Sequence, residues 1–200
     1  MSEQPALRIS NVVYGRQIVG NRVKYLVDPR RGGDEKAVPE TVVLKRWRRR
    51  HLDGYIFSGT RLSSTLWRAI HLAFPWDAKT ICGLSLNEIQ QTIERTRAAL
   101  GEHHFRLPSA KALHELLFVV GPDRLASLIS RHTAPGHIGH SGTPDLFLYA
   151  TNQATEMPCM HRFVEVKRPG EKVSDDQQAE IKFLRDLGLQ ARVLRLIERA

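Results

Sequence analysis

Between Gly142 and Gln177 the chain carries the pattern that most restricts its fold. Gly142-Thr-Pro-Asp145 leads into the apolar run Leu146–Ala150, and Phe163-Val-Glu165-Val-Lys167 follows with a period of two. Ser174-Asp-Asp-Gln177 then has the spacing of a capping box, in which a serine and a residue three positions on satisfy each other's backbone N–H groups. This predicts two strands joined by a connection over 151–161, a helix from Ser174 to a stop at Gly188, and a last strand over 190–197. Side chains two apart on a strand share a face, so Glu165 and Lys167 point one way while Val164 and Val166 point the other. Asp145 opens the neighbouring strand, and a hairpin pairing would bring it to Glu165.

Two carboxylates at one point suit a hard divalent cation, magnesium or manganese, and the Val166 carbonyl adds an oxygen of the same kind. Such an ion polarises a phosphate and acidifies bound water. Lys167 beside it would orient the nucleophile or stabilise charge building on the phosphate. Gln177 falls on the apolar arc of its helix with Ile181 and Leu184, so it faces the sheet, or it only caps its helix.

The rest of the chain is read in outline. Residues 7–27 alternate in part, which predicts a short hairpin turning at Gly20-Asn21. A polar, glycine-rich connection over 28–37 sets residues 1–38 apart as an N-terminal appendage. A helix from Pro39 to about Arg50 begins with proline at a position whose missing N–H has no partner to lose. Its apolar face carries Glu40 with Val43, Leu44 and Trp47, an unusual place for a solvated charge. Residues 59–135 read as helical: Arg61–Phe74, a helix capped by Ser85 and Glu88 with Leu86, Ile89, Ile93 and Leu100 on one face and ending at Gly101, then Lys111–Val120 and Arg124–His132.

Thirty Lys and Arg against 21 Asp and Glu give a net charge of +9, which favours an anionic partner such as nucleic acid. The run Lys45-Arg46-Trp-Arg48-Arg49-Arg50 is either a phosphate-contacting face or a solvated one that complements the helix dipole. Arg131, His140 and Arg168 are further candidates for DNA contact. His137 and His140 near Asp145 read as surface or phosphate residues before they read as a zinc site, and Trp67, Phe74 and Trp76 as core or interface before base-stacking platforms. Cys82 and Cys159 stand far apart, outside any Cys-x-x-Cys pair, and fit a reducing compartment. Neither a signal peptide nor an apolar run of membrane-spanning length is present, so synthesis in the cytoplasm is expected, with delivery into a target cell by a route that needs no signal peptide left open.

The joint pattern of Pro144-Asp145, Glu165-Val-Lys167 and Gln177 resembles the PD-(D/E)xK nuclease superfamily and, within it, the VRR-NUC (virus-type replication-repair nuclease) family. Pro39–Trp47 is similar to the helix that brings Fanconi-associated nucleases an additional metal-site glutamate, and Gly121–His132 to the helix leading into their active centre. The resemblance spans residues 39–197. It implies an α/β fold with a restriction-endonuclease-like mixed sheet flanked by helices, and a helical insert at about 59–135 within a nuclease domain of 39–200. It implies a metal-dependent DNA endonuclease with Asp145, Glu165, Lys167 and Gln177 as catalytic residues, and Glu40, Asp145, Glu165 and Val166 around the metal. The insert implies a monomeric unit acting on double-stranded or branched DNA. Ser58 stands where the larger relatives carry a glutamate before glycine, and His140 where they carry an arginine. Two biological settings fit: repair or recombination on branched DNA, or a secretion-system toxin paired with an immunity protein. The alternative is a basic DNA-binding module with a degenerate centre.

Overall fold

The computed structural model describes residues 9–14, 16–19, 22–27, 36–100, 106–135 and 142–198. The chain divides into two compact units, Met1–Gly59 with Pro144–Ala200, and Thr60–Thr143.

The first unit is built on a five-stranded mixed sheet in the order β1-β8-β7-β6-β5. Its strands are β1 (Ile9–Tyr14), β5 (Tyr55–Arg61), β6 (Leu146–Asn152), β7 (Pro158–Lys167) and β8 (Ala191–Glu198). β6 and β7 pair antiparallel with Leu146 opposite Val164. β8 runs parallel to β7, with Val164 opposite Arg192 and Glu165 opposite Val193, and β1 runs parallel to β8. A three-stranded sheet of β2 (Arg16–Val19), β3 (Arg22–Leu26) and β4 (Lys36–Ala37) completes the strands.

The expected hairpin therefore forms from β2 and β3, with its Gly20-Asn21 turn outside the described residues. Residues 9–14 are not its first arm but an edge of the main sheet. Two further expectations are corrected. Residues 59–61, read as part of a helical stretch, instead close strand β5, so the helix read as Arg61–Phe74 shortens to α2 (Leu66–Ala73). β7 begins at Pro158, so the connection read as 151–161 shrinks to residues 153–157.

Helix α1 (Pro39–Arg48) starts with proline in its first turn and buries Val42, Val43, Leu44 and Trp47. These join one apolar cluster with Leu146, Leu148, Val164, Val166 and Leu196 from the sheet. Each such side chain taken from water contributes roughly 1.5–3 kcal/mol, enough to seat α1 firmly against the ends of β6 and β7. The Trp47 indole also donates to the Tyr149 carbonyl at 2.9 Å, so the ring is fixed rather than merely buried. Where α1 meets β5 the approach is close. A Cβ on Gly59 would lie 2.8 Å from the Phe147 carbonyl oxygen and 3.0 Å from a Leu44 methyl. Backbone cannot yield as a flexible side chain can, so Gly59→Ala is expected to destabilise the protein by about 1–3 kcal/mol. Chemical denaturation would read this as a lower midpoint at unchanged slope.

On the other side of β7, helix α7 (Asp175–Asp186) buries Ile181 and Leu184. The Ser174–Gln177 capping box is present as the spacing predicts.

The second unit is helical. It contains α2, α3 (Ala78–Cys82), α4 (Leu86–Leu100), α5 (Ala110–Val120) and α6 (Pro122–Thr133). Trp67 and Phe74 are fully buried, whereas Trp76 is exposed. Ser85 and Glu88 cap α4 reciprocally. Ile89 and Ile93 face the core but Leu86, read as their partner, is solvent-exposed; it stands in the first turn, where the cap fixes the chain. Leu100 (as to its side chain) and Gly101 lie outside the described residues. No helix among the described residues is long and apolar enough to cross a membrane.

Candidate active site

The hairpin pairing of β6 and β7 sets Asp145 one residue before Leu146, opposite the end of β7 where Glu165, Val166 and Lys167 lie. The Asp145 carboxylate oxygen Oδ2 accepts the Val166 N–H at 2.8 Å. That bond ties the acid to the strand bearing the other two charged groups. Glu165 and Lys167 share the face turned towards α7, and both are nearly fully buried, at 3% and 4% exposure. Lys167 Nζ stands 3.1 Å from Glu165 Oε1.

Gln177 both caps and reaches inward, so the two roles open to it from sequence coexist. Its side-chain oxygen accepts the Ser174 N–H at 3.0 Å, and its amide Nε2 donates to Glu165 Oε1. Four residues from three elements thus converge through direct contacts on a strand end.

Glu171 belongs here as well, and sequence reasoning missed it. Its Oε1 lies 3.6 Å from Lys167 Nζ, its Oε2 accepts the Arg168 N–H at 2.9 Å, and its carbonyl accepts from Arg195 at 3.0 Å. The turn through Gly170, at φ +73°, folds it back over the end of β7. No periodicity marks a residue in such a turn; the only local sign is an acid four positions after a strand lysine.

The acids disfavour one another's charge. Burial pushes the Glu165 carboxyl up to about 7, the neighbouring Asp145 charge pushes the same way, and Lys167 opposes both. Asp145 is also raised: burial is the main cause, the Val166 N–H counters it, and Glu40 adds repulsion. A buried ion pair is an inefficient way to stabilise a fold, since desolvation offsets much of the Coulombic gain. Perturbed carboxylates gathered at one point are more characteristic of a working site.

The donor set fits a hard cation in part. Oxygen ligands are the right chemistry, and carboxylates that repel one another in a buried place gain from a positive ion between them. The arrangement is narrower than the expected one, however. Among the described residues no three His, Cys, Asp or Glu side chains stand close enough to form a metal cluster. Glu40 is half-buried on the first turn of α1 and acts on Asp145 through its charge, so the tight group is Asp145 and Glu165 with the Val166 backbone.

The candidate DNA contacts have varied settings. Arg46 donates to the Val27 carbonyl and Arg48 to the Gly59 carbonyl, each at 2.6 Å, so both help hold the fold. Lys45 is half-buried on α1, and Arg49, at its C-terminal cap, is exposed. Arg168 is exposed beside the site, and Arg131 lies on α6 in the second unit. His137 and His140 lie outside the described residues.

The sequence model of the VRR-NUC domain matches residues 87–196, more than half of the chain and all of the Asp145–Gln177 constellation. The chain belongs to the VRR-NUC domain family. No curated protein sequence matches it. Among solved structures, this VRR-NUC chain is similar to paFAN1 bound to 2-nucleotide 5′-flap DNA with a gap, at a TM-score of 0.60 and 14% identity. It is also similar to paFAN1 bound to 1-nucleotide 5′-flap DNA with a gap, at a TM-score of 0.56 and 15% identity. Both matches cover 100% of this chain and 39% of paFAN1, so the chain spans well under half of that protein. At this identity the likeness establishes a shared fold, a mixed sheet with flanking helices.

Proposed function

We propose that the protein is a divalent-cation-dependent DNA nuclease that hydrolyses phosphodiester bonds, using magnesium or manganese. The observation that carries this reading is the contact network joining Asp145, Glu165, Lys167 and Gln177 on the end of the β6–β7 hairpin. Asp145 and Glu165, with the Val166 carbonyl, would hold the ion, and Glu40 would add negative charge from α1. When bound, the ion supplies Lewis-acid polarisation of the phosphate and lowers the pKa of water.

The chain's own groups do the rest. The Val166 N–H fixes one Asp145 oxygen, leaving the other for ligation. Gln177 fixes Glu165 in one rotamer, so the carboxylate need not reorganise during the reaction. Lys167, held between Glu165 and Glu171, keeps a positive charge where negative charge develops on the phosphate. Its burial excludes water and strengthens that interaction.

Branched or flapped DNA is the substrate class we favour, because paFAN1, whose fold this chain shares, was crystallised on 5′-flap DNA. The deciding experiment measures cleavage of supercoiled plasmid and of a 5′-flap duplex with magnesium or manganese, for wild type and Asp145→Ala. Cation-dependent cutting that the variant loses is expected, with the flap preferred. Plasmid cut as readily as flap would favour a general DNA-damaging toxin over a repair enzyme. Well-folded wild type that leaves both substrates intact would refute the nuclease reading and favour a binding module.

A further inference from the structure

Away from the acids, the first unit sets two arginines from separate parts of the chain against Trp47, with a third beside one of them. The Arg50 guanidinium lies 4.7 Å from the centre of the indole ring and that of Arg162 lies 5.5 Å from it. Arg50 follows the C-terminal end of α1, and Arg162 lies on β7. Arg192 joins them from β8: it pairs with Val164, two residues from Arg162 and on the same face of the sheet. Arg50 ends the basic run that begins at Lys45, but Arg162 and Arg192 are single charges far along the chain, and nothing in the sequence groups them with it.

The electrostatics of Arg162 are unusual for a structural arginine. It is half-buried, and its Nε is buried without a hydrogen-bond partner among the described residues. Burial disfavours its charged form, and the neighbouring charges acting on it, Arg192 and then Arg50, are both positive. Guanidinium–aromatic attraction to Trp47 offsets part of this and holds the group in place. A guanidinium kept at that cost, as that of Arg162 is, gains from an anion. Arg192 also borders a cavity of about 230 Å³ with Arg185 and Ser10, where Arg185 is anchored through Nε to the Ala191 carbonyl.

We propose that Arg50 and Arg162, both over the Trp47 ring, and Arg192 beside Arg162 form a track for the phosphate backbone of DNA. The proposal rests on the nuclease reading for its choice of polyanion and adds the surface that seats the substrate. Arg162 is four residues along β7 from Val166, which the Asp145 carboxylate holds. At the rise of an extended strand that is about 13 Å, or about four base pairs of duplex. Arg162 shares the α1 face of β7 with Val164 and Val166, opposite Glu165 and Lys167, so the track seats the duplex on that side of the hairpin rather than over the acids themselves. Guanidinium groups suit the task, since they stay charged and hydrogen-bond phosphate in a planar fork.

The test is fluorescence anisotropy of a labelled duplex in EDTA, across 50–200 mM salt, for wild type, Arg50→Gln/Arg162→Gln/Arg192→Gln, and the single variants Arg50→Gln and Arg192→Gln. Each lost phosphate contact should reduce the slope of log K against log salt by about 0.9. The triple variant is expected to bind at least about tenfold more weakly at 100 mM salt, with a slope shallower by about 2–3. Should its melting temperature fall, the single variants serve, each with a slope shallower by about 1. Folded variants with wild-type affinity and slope would overturn the proposal, and so would weaker binding at an unchanged slope. Cleavage plays no part in this readout. Wild type that binds along the track but never cuts would refute the nuclease reading alone, and wild type that cuts with the track variants unaffected would refute the track alone.

Discussion

Lys167→Ala is expected to reduce cleavage of plasmid and flap DNA by about 10²- to 10³-fold, the usual cost of losing one preorganised group that stabilises developing charge. The same variant should bind DNA within about twofold of wild type, since a buried lysine adds little to a salt-dependent grip made by surface cations. Two features make the effect large. Lys167 is only 4% exposed, so no solvent cation can take over its role. Its Nζ is held from both sides, by Glu165 and Glu171, and a truncated side chain leaves those acids without their shared positive partner. Single-turnover rates and anisotropy on the same flap duplex separate the two quantities. Loss of both would place Lys167 in the fold rather than the reaction, and a rate within tenfold of wild type would remove it from the site. Removing one partner of a buried ion pair also costs stability, so thermal unfolding must accompany the assay.

The parts of this site that sequence disclosed share one property: their geometry is local. Glu165 and Lys167 lie on one face because strand side chains alternate, and Gln177 turns inward because a capping box fixes the register of its helix. What sequence hid depends on distant pairing. β1 looked like a hairpin arm because its parallel partner β8 lies at the far end of the chain, where no turn residue signals the match. The last residues of β5, 59–61, read as helical because Gly59-Thr60 interrupts the strand's apolar run. That same glycine is demanded by the Phe147 carbonyl, a constraint visible only once β5 lies beside β6. Glu171 and the nearness of Arg162 to Arg192 were hidden for the same reason: a turn places the one and a strand register the other. Glu40 shows the converse. Its place on an apolar face was legible, and the structure does put its charge within reach of Asp145, but not in a closed cluster of three acids.

Adding magnesium or manganese should stabilise the protein strongly at pH 8 and weakly at pH 5.5. The sign follows from Glu165, whose carboxyl is pushed up from 4.5 to about 7 by burial first and by Asp145 second. A carboxyl raised in the folded state holds its proton more tightly there than in the unfolded chain. The stability it contributes is complete below about 4.5 and is lost as pH rises through about 7. A shift of this size corresponds to a few kcal/mol, so the cation-free protein should lose stability on that order from this group across the window. A divalent ion competes with that proton for the same oxygens, and its binding strengthens as the proton leaves. Asp145 is raised in the same direction and reinforces the trend. Calorimetry at the two pH values, with and without one fixed ion concentration about 100 times the pH 8 Kd, should give a rise in melting temperature at pH 8 that shrinks at pH 5.5, corresponding to about 2.7 kcal/mol at the higher pH. Asp145→Ala should abolish the ion's effect at both pH values. It should also raise the melting temperature of the cation-free protein at pH 8, or lower it less than loss of the Val166 bond alone would predict, because Glu165 sheds its main repelling charge. An ion effect equal at both pH values, or one that survives in the variant, would separate cation binding from these two carboxylates.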